Sequence, residues 1–255
     1  MIARPGPADL DDGKVLLKKT GAIAVTLAAL VLAGCGIDRD LVPIPEGLPP
    51  GPGAPLPLID IDSPGRTAAQ LNSWATEHAD TLRIPVPALE AYGYAAAVMV
   101  RARPDCGIAW TTLAGIGSVE SKHGTYRGSA VSETGRVDPP IIGIALDGSP
   151  GVARIADTDN GALDGDPVHD RAVGPLQFIP ETWQRWGVDA NGDGVIDPHS
   201  IDDAALTAAR YLCDSGGVLT SPEGWSKALF TYNRSESYMM DVRDRAAAYS
   251  VGRRV

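Results

Sequence analysis

Apolar positions along the chain fall into three regimes. Residues 21–33 form one continuous apolar run, GAIAVTLAALVLA, behind Lys14, Lys18 and Lys19. At 13 residues it is too short for a spanning helix, which needs about 20. From Arg66 onward the period changes to that of helices packed on one face. Leu71, Trp74, Ala75, His78 and Leu82 follow the i, i+3, i+4 rule, and Ala88, Tyr92, Ala95, Ala96 and Met99 repeat it after Pro85 and Pro87. A third helix is predicted over 109–122, with Trp110, Leu113 and Gly117 on one face and Gly124 as its stop. Shorter helices are predicted over 180–186, 201–214, 222–232 and 235–249. Between them, residues 125–172 are rich in Gly, Asp and Pro and contain one strand candidate, 141–146. Connections of that length in compact domains usually carry function. The pattern therefore predicts one mainly α domain over 66–255, with a long irregular insertion and a small β element.

The first apolar run changes meaning with its flanks. A basic segment, a short apolar core and the closing Leu32-Ala33-Gly34-Cys35 have the form of a bacterial lipoprotein signal. Residues 1–34 read as the leader, and Cys35 as the lipidated N-terminus of the mature chain. Removing the leader takes away four basic and three acidic residues, so the remainder carries −11 against −10 for the whole chain. An acidic, lipid-anchored, extracytoplasmic protein is expected. The charge and the lack of a basic stripe exclude nucleic acid as a main partner. From Pro43 to Gly65 there are 8 Pro and 4 Gly in 23 residues, so 35–65 reads as an extended tether reaching at most about 90 Å. With Cys35 lipidated, Cys106 and Cys213 remain, and outside the cytoplasm they are expected to form one disulfide.

Four segments carry candidate chemistry. In 114–124 (AGIGSVESKHG), Glu120 sits in the last turn of an otherwise apolar helix. Apolar neighbours and the negative helix end both disfavour a carboxylate, so Glu120 would stay protonated as a general acid requires. A solvated helix-end Glu has the same local pattern. In 172–183 (AVGPLQFIPETW), a Gly-Pro turn delivers Gln177 and Phe178 ahead of a helix opened by Pro180. An amide beside an aromatic suits a sugar; a loop plug is the plain alternative. In 232–238 (YNRSESY), two Tyr and an Asn sit at a helix–helix turn, where Asn233 or Ser235 also suits a cap. Finally, 189–203 (DANGDGVIDPHSIDD) begins like an EF-hand, with Asp189, Asn191 and Asp193 at positions 1, 3 and 5, Gly194 at 6 and the Val195 carbonyl at 7. Position 12 is Ser200 rather than Glu. A dockerin would duplicate the loop, and this chain has one copy. A second acidic run, 157–166, reads as a solvated hairpin turn; His123 and His169 read as capping or surface residues.

Glu120-Ser121 with His123-Gly124, Gly174-Pro-Leu-Gln-Phe178, Tyr211, Tyr232-Asn233 and Tyr238 together resemble the lytic murein transglycosylases of the membrane-bound B type. The resemblance covers about 106–249. It implies a lysozyme-like, mainly α fold with Glu120 as the single catalytic acid/base. Ser121, Gln177, Phe178, Tyr211, Tyr232, Asn233 and Tyr238 would contact the glycan. The family cleaves the MurNAc–GlcNAc β-1,4 bond of peptidoglycan without water and leaves a 1,6-anhydro-MurNAc end. It also has a longer calcium loop whose last carboxylate falls at position 15, here Asp203, so Ca²⁺ on Asp189, Asn191, Asp193, Val195 and Asp203 is expected in a structural role. No organic cofactor is implied. The implied partners are glycan strands, the membrane through Cys35, and unidentified cell-wall enzymes. Two other readings keep the same residues. One is a hydrolytic muramidase, with a second carboxylate among Glu133, Asp138 and Asp147. The other is a noncatalytic glycan-binding scaffold lipoprotein.

Overall fold

The structure, a computed structural model, describes residues 42–255. The leader, Cys35 and the first residues of the expected tether lie outside the described residues. A 3-10 turn, Thr67–Leu71, leads into α1 (Asn72–Leu82), and α2 (Val86–Ala102) follows with Pro85 as N-cap and Pro87 inside its first turn. Next come α3 (Trp110–Ser121), α4 (Pro180–Trp186), α5 (Ile201–Gly216), α6 (Pro222–Tyr232) and α7 (Glu236–Ser250). Ser200, Ser221 and Ser235 cap the last three by accepting amide hydrogen bonds from Asp203, Gly224 and Tyr238. The architecture is mainly helical with a small β part, as the hydrophobic period predicts.

Two helix pairs make the core: α2 against α5, and α3 against α7. Leu89, Tyr92, Leu113, Ile116 and Leu212 on these helices, with Trp225 on α6, are fully buried in one core cluster. Such side chains each contribute about 1.5–3 kcal/mol relative to exposure. Cys106 and Cys213 are bonded, with 5.5 Å between their Cα atoms, and tie the segment before α3 to α5. A charged cluster locks the other end of α5. Arg66 pairs with Asp202 at 2.8 Å and with Glu90, while Asn72 donates to Glu90 at 2.8 Å. Asp202 is fully buried, so removing Arg66 would strand an uncompensated charge.

The insertion carries the small β element expected of it: β1 (Ala130–Val131) pairs antiparallel with β2 (Val137–Asp138), and β3 (Ile142–Ala145) with β4 (Arg171–Val173). Bridges Asp147–Arg154 and Ala156–His169 add a third segment beside the second pair. One expectation changes: the described part of the tether, 42–65, is not free. Leu48, Ala54, Leu56, Ile59 and Ile61 pack on the core. Trp110 Nε1 donates to the Ala54 carbonyl at 3.0 Å, and Thr111 Oγ1 to that of Gly51 at 2.7 Å. Proline lacks a donor but keeps its carbonyl and apolar ring, so a Pro-rich strand suits docking onto side-chain donors. No helix among the described residues is long and apolar enough to cross a membrane.

Candidate active site

The site begins where α3 stops. Lys122, His123 and Gly124 all take positive φ (53°, 59° and 82°), which ends the helix just past Glu120. Two buried polar contacts hold this reversal. Ser121 Oγ accepts from the Gly124 amide at 2.7 Å and donates to the Pro175 carbonyl at 2.6 Å. The His123 ring lies between the hydroxyls of Tyr92 (3.3 Å) and Tyr249 (3.0 Å). Burial pushes His123 down to about 3, so it stays neutral. His123 is thus an internal strut rather than the capping or surface residue expected. Gly117 leaves room for it: a Cβ there would overlap the Tyr92 hydroxyl.

Glu120 opens from this turn into a cleft of about 780 Å³. The residue keeps partial solvent contact, but its carboxyl is desolvated, which raises its pKa to about 7. Tyr238 Oη donates to Glu120 Oε1 at 2.6 Å and pulls the other way. Gln177, Phe178, Tyr211, Tyr232 and Asn233 line the same cleft. Glu120 is the one carboxylate among its lining residues. Glu133, Asp138 and Asp147, the candidates for a second acid, are exposed and do not line it.

The Gly-Pro turn is a tight loop closed by reciprocal bonds between Val173 and Phe178, N to O at 2.8 and 3.0 Å. Gly174 sits at φ 77°, and a Cβ there would overlap the Pro198 carbonyl. Gln177 is held at φ 51°, unfavourable for a residue with a Cβ, and its Nε2 donates to the Gly174 carbonyl at 2.9 Å. Below it, Phe178 packs on Trp183 and Tyr232, with centroids 5.5 and 5.7 Å apart. A row of aromatics then leads away from Glu120. Tyr238 stacks on Tyr232 (6.5 Å, 8° between planes), Tyr232 meets Tyr211 (6.0 Å), and Tyr211 meets Trp186 edge-on (5.7 Å).

Not every expected contact residue faces the cleft in the expected way. Ser121 is buried and absent from the lining; its hydroxyl is spent on Gly124 and Pro175, so its role is structural. Phe178 is 4% exposed and supports Tyr232 more than it offers a face. Tyr238 is buried against Glu120, and Tyr232 Oη donates to the Leu176 carbonyl at 2.7 Å. Gln177, Tyr211 and Asn233 are the expected residues most open to a ligand. Sequence reasoning missed the apolar wall of Ile144, Leu146, Val152 and Ile155 from the insertion, and Arg234 at the rim. The wall had a weak signal: Ile142 and Ile144 alternate with small residues along β3, yet are exposed at 43% and 64%.

The 189–203 loop folds on its own amides. Asp189 accepts from the amides of Gly192 and Gly194, Asn191 from Asp193, and Asp193 from Val195. Asp203 is fully buried beneath it and accepts from Ala190 and Asp197. The loop's side-chain donors are oxygens, the type a hard divalent cation takes, but among the described residues Asp189, Asp193 and Asp203 are not in the set of carboxylates that converges within 4.8 Å. The acidic run 157–166 is folded on its own amides, and Asp157, Asp159 and the buried Asp170 bring carboxylate oxygens within 4.8 Å of one another.

Residues 170–225 match the transglycosylase SLT domain. That stretch runs from β4 through the Gln177 turn, the acidic loop and Tyr211 into α6. Among solved structures, the Escherichia coli lytic transglycosylase Slt35 in complex with bulgecin A is 15% identical, covering 69% of this chain and 77% of its own, with a TM-score of 0.40. Slt35 in complex with calcium is 14% identical over the same shares, with a TM-score of 0.39. SltB3 from Pseudomonas aeruginosa in complex with NAG-anhNAM-pentapeptide is 17% identical, covering 75% of each chain, with a TM-score of 0.40. No curated protein matches the chain significantly.

Proposed function

We propose that this protein is a peptidoglycan lytic transglycosylase with Glu120 as its only acid/base. The observation that carries the reading is a cleft with one carboxylate, raised to about 7 and hydrogen-bonded by a tyrosine. The SLT match over residues 170–225 supports the substrate class. Glu120, protonated near neutrality, gives its proton to the departing GlcNAc O4 as the C1–O4 bond breaks. The 2-acetamido group of the same MurNAc stabilises C1, so no second carboxylate is needed. Ionised Glu120 then takes the C6 hydroxyl proton while O6 bonds to C1, closing the 1,6-anhydro ring. Nucleophile and electrophile share one sugar, which favours closure. The apolar wall from the insertion disfavours water at C1. Gln177, Tyr211 and Asn233 hold the glycan.

Mass spectrometry of digested peptidoglycan tests this. Products lighter by one water and resistant to borohydride are expected. Reducible ends would mean a muramidase, and bound glycan without products a scaffold. Glu120→Gln should abolish cleavage and keep binding; full activity in that variant would overturn the assignment.

The 189–203 loop is proposed to hold structural Ca²⁺ through Asp189, Asn191, Asp193, the Val195 carbonyl and Asp203, fixing the Gln177 turn relative to the Tyr211 helix. Adding Ca²⁺ after chelation should raise the melting temperature of the wild type, and not that of Asp193→Ala. The closing Leu32-Ala33-Gly34-Cys35 supports extracytoplasmic anchoring at Cys35, tested by the mass of the mature N-terminal peptide.

A further inference from the structure

Tyr238, at the start of α7, donates to the Glu120 carboxyl, so the placement of α7 along α3 decides whether this bond is made. Tyr238, Val242, Ala246 and Tyr249 recur at helical spacing and are all buried. They form the face that α7 lays on α3. At its middle this contact is smooth. A Cβ added to Gly115 would lie 2.8 Å from the Val242 carbonyl and 3.2 Å from the Ala246 Cβ, so no α3 side chain interdigitates there. Contact between small apolar groups brings helices close but is non-directional, and it leaves sliding soft. Hydrogen bonds have direction, and two of them pin the ends of the face. One is Tyr238 on Glu120; in the other, Tyr249 Oη lies 3.0 Å from His123 Nε2. The two tyrosines are about three turns, or 16 Å of helix, apart.

His123 is itself fixed. It is buried, its amide donates to the Gly117 carbonyl at 2.8 Å, and its Nδ1 meets the Tyr92 hydroxyl of α2 at 3.3 Å. Tyr92, Tyr249 and, through its charge, Arg245 act on the ring. The ring stays neutral, so it works through hydrogen bonds alone. We infer that His123 is a positioning residue for Glu120: its bond to Tyr249 sets the register of α7 on α3 and so delivers the Tyr238 hydroxyl to the carboxyl. The inference rests on the transglycosylase reading for what Glu120 does, and on geometry alone for the link between His123 and Glu120. His123 does not line the cleft and touches no substrate. Histidine suits the place because one neutral ring offers a hydrogen-bonding nitrogen to each of two hydroxyls on different helices. Phenylalanine would fill the same space and bind neither.

The test is an NMR titration of the Glu120 carboxyl carbon in the full-length chain, with and without Tyr249→Phe and His123→Phe, each also combined with Tyr238→Phe. Either replacement should raise the Glu120 pKa by about one unit, in the direction expected for loss of the Tyr238 bond. Neither should move it further once Tyr238→Phe is present. Kinetics on soluble glycan strands, per folded molecule, should show kcat lower by about tenfold with KM unchanged. Tyr249→Phe keeps the packing and the His123 ring, so it carries the test where His123→Phe does not fold. A titration unmoved by Tyr249→Phe, or a shift undiminished beside Tyr238→Phe, overturns the inference. So does a kcat that falls only in proportion to unfolded protein. A wild type that cleaves no glycan overturns the transglycosylase reading instead, and the titration still decides whether His123 governs Glu120.

Discussion

Glu120 is held in a state that a solvated helix-end glutamate would not keep. Burial raises its carboxyl to about 7, and the Tyr238 hydrogen bond, which favours the ionised form, limits the rise. Removing that bond moves the pKa further up. Tyr238→Phe is therefore expected to shift the alkaline limb of the kcat profile to higher pH, and an unmoved limb would detach Tyr238 from Glu120. The same desolvation has a stability sign. A carboxyl whose folded pKa exceeds its unfolded value of 4.5 binds its proton more tightly in the fold. Its contribution is full below pH 4.5 and is lost as pH rises through 7. Glu120→Gln should then raise stability by up to about 3 kcal/mol at pH 8 and very little at pH 4. Equal shifts in melting temperature at the two pH values would contradict this. Glu120 was legible in the sequence because an acid inside AGIGSVES is out of place. Its setting was not, since Tyr238 arrives from 118 residues away.

At the scale of elements, the helices followed their apolar period, and the ranges for α4 and α6 match their expected 180–186 and 222–232. The segments that escaped are those whose partners are remote. Nothing local says that β3 pairs with β4 across 25 intervening residues, or that Ile144 would face a cleft. The Gly-Pro turn is the opposite case, local in pattern and strict in geometry. Gly174 combines positive φ with contact to the Pro198 carbonyl, so it joins the Gln177 turn to the acidic loop. Gly174→Ala should cost about 2–4 kcal/mol and lower Tm by roughly 5–15 °C. Activity should fall further than folded protein does, because Gln177 and Phe178 move with the turn. Loss of activity only in proportion to unfolded protein would show that the turn does not position the site.

For the whole molecule, the docked strap changes where the cleft can work. Composition alone read 35–65 as a free tether, because prolines mark extension and say nothing of what the extended chain lies on. Besides its bonds to Trp110 and Thr111, the strap takes hydrogen bonds at its start, from Arg253 to the Val42 carbonyl at 2.9 Å and from Arg243 to that of Glu46 at 3.2 Å. On the proposed lipid anchor at Cys35, only residues 36–41 separate the membrane from the first docked residue. The seven Cα steps from Cys35 to Val42 reach at most about 25 Å by chain length, against about 90 Å for the whole segment. The folded domain would then begin close to the membrane. Neutron reflectometry of the lipidated protein on a supported bilayer should find protein density beginning within about 25 Å of the headgroups. Replacing Arg253 and Arg243 by Met together with Trp110 by Phe and Thr111 by Val removes these four side-chain donors to the strap. That set should weaken docking, speed amide exchange at Asp60, and let the layer rise. A wild-type layer standing well beyond that gap would mean that the strap is free and that the reach set by its full length governs which strands are cut.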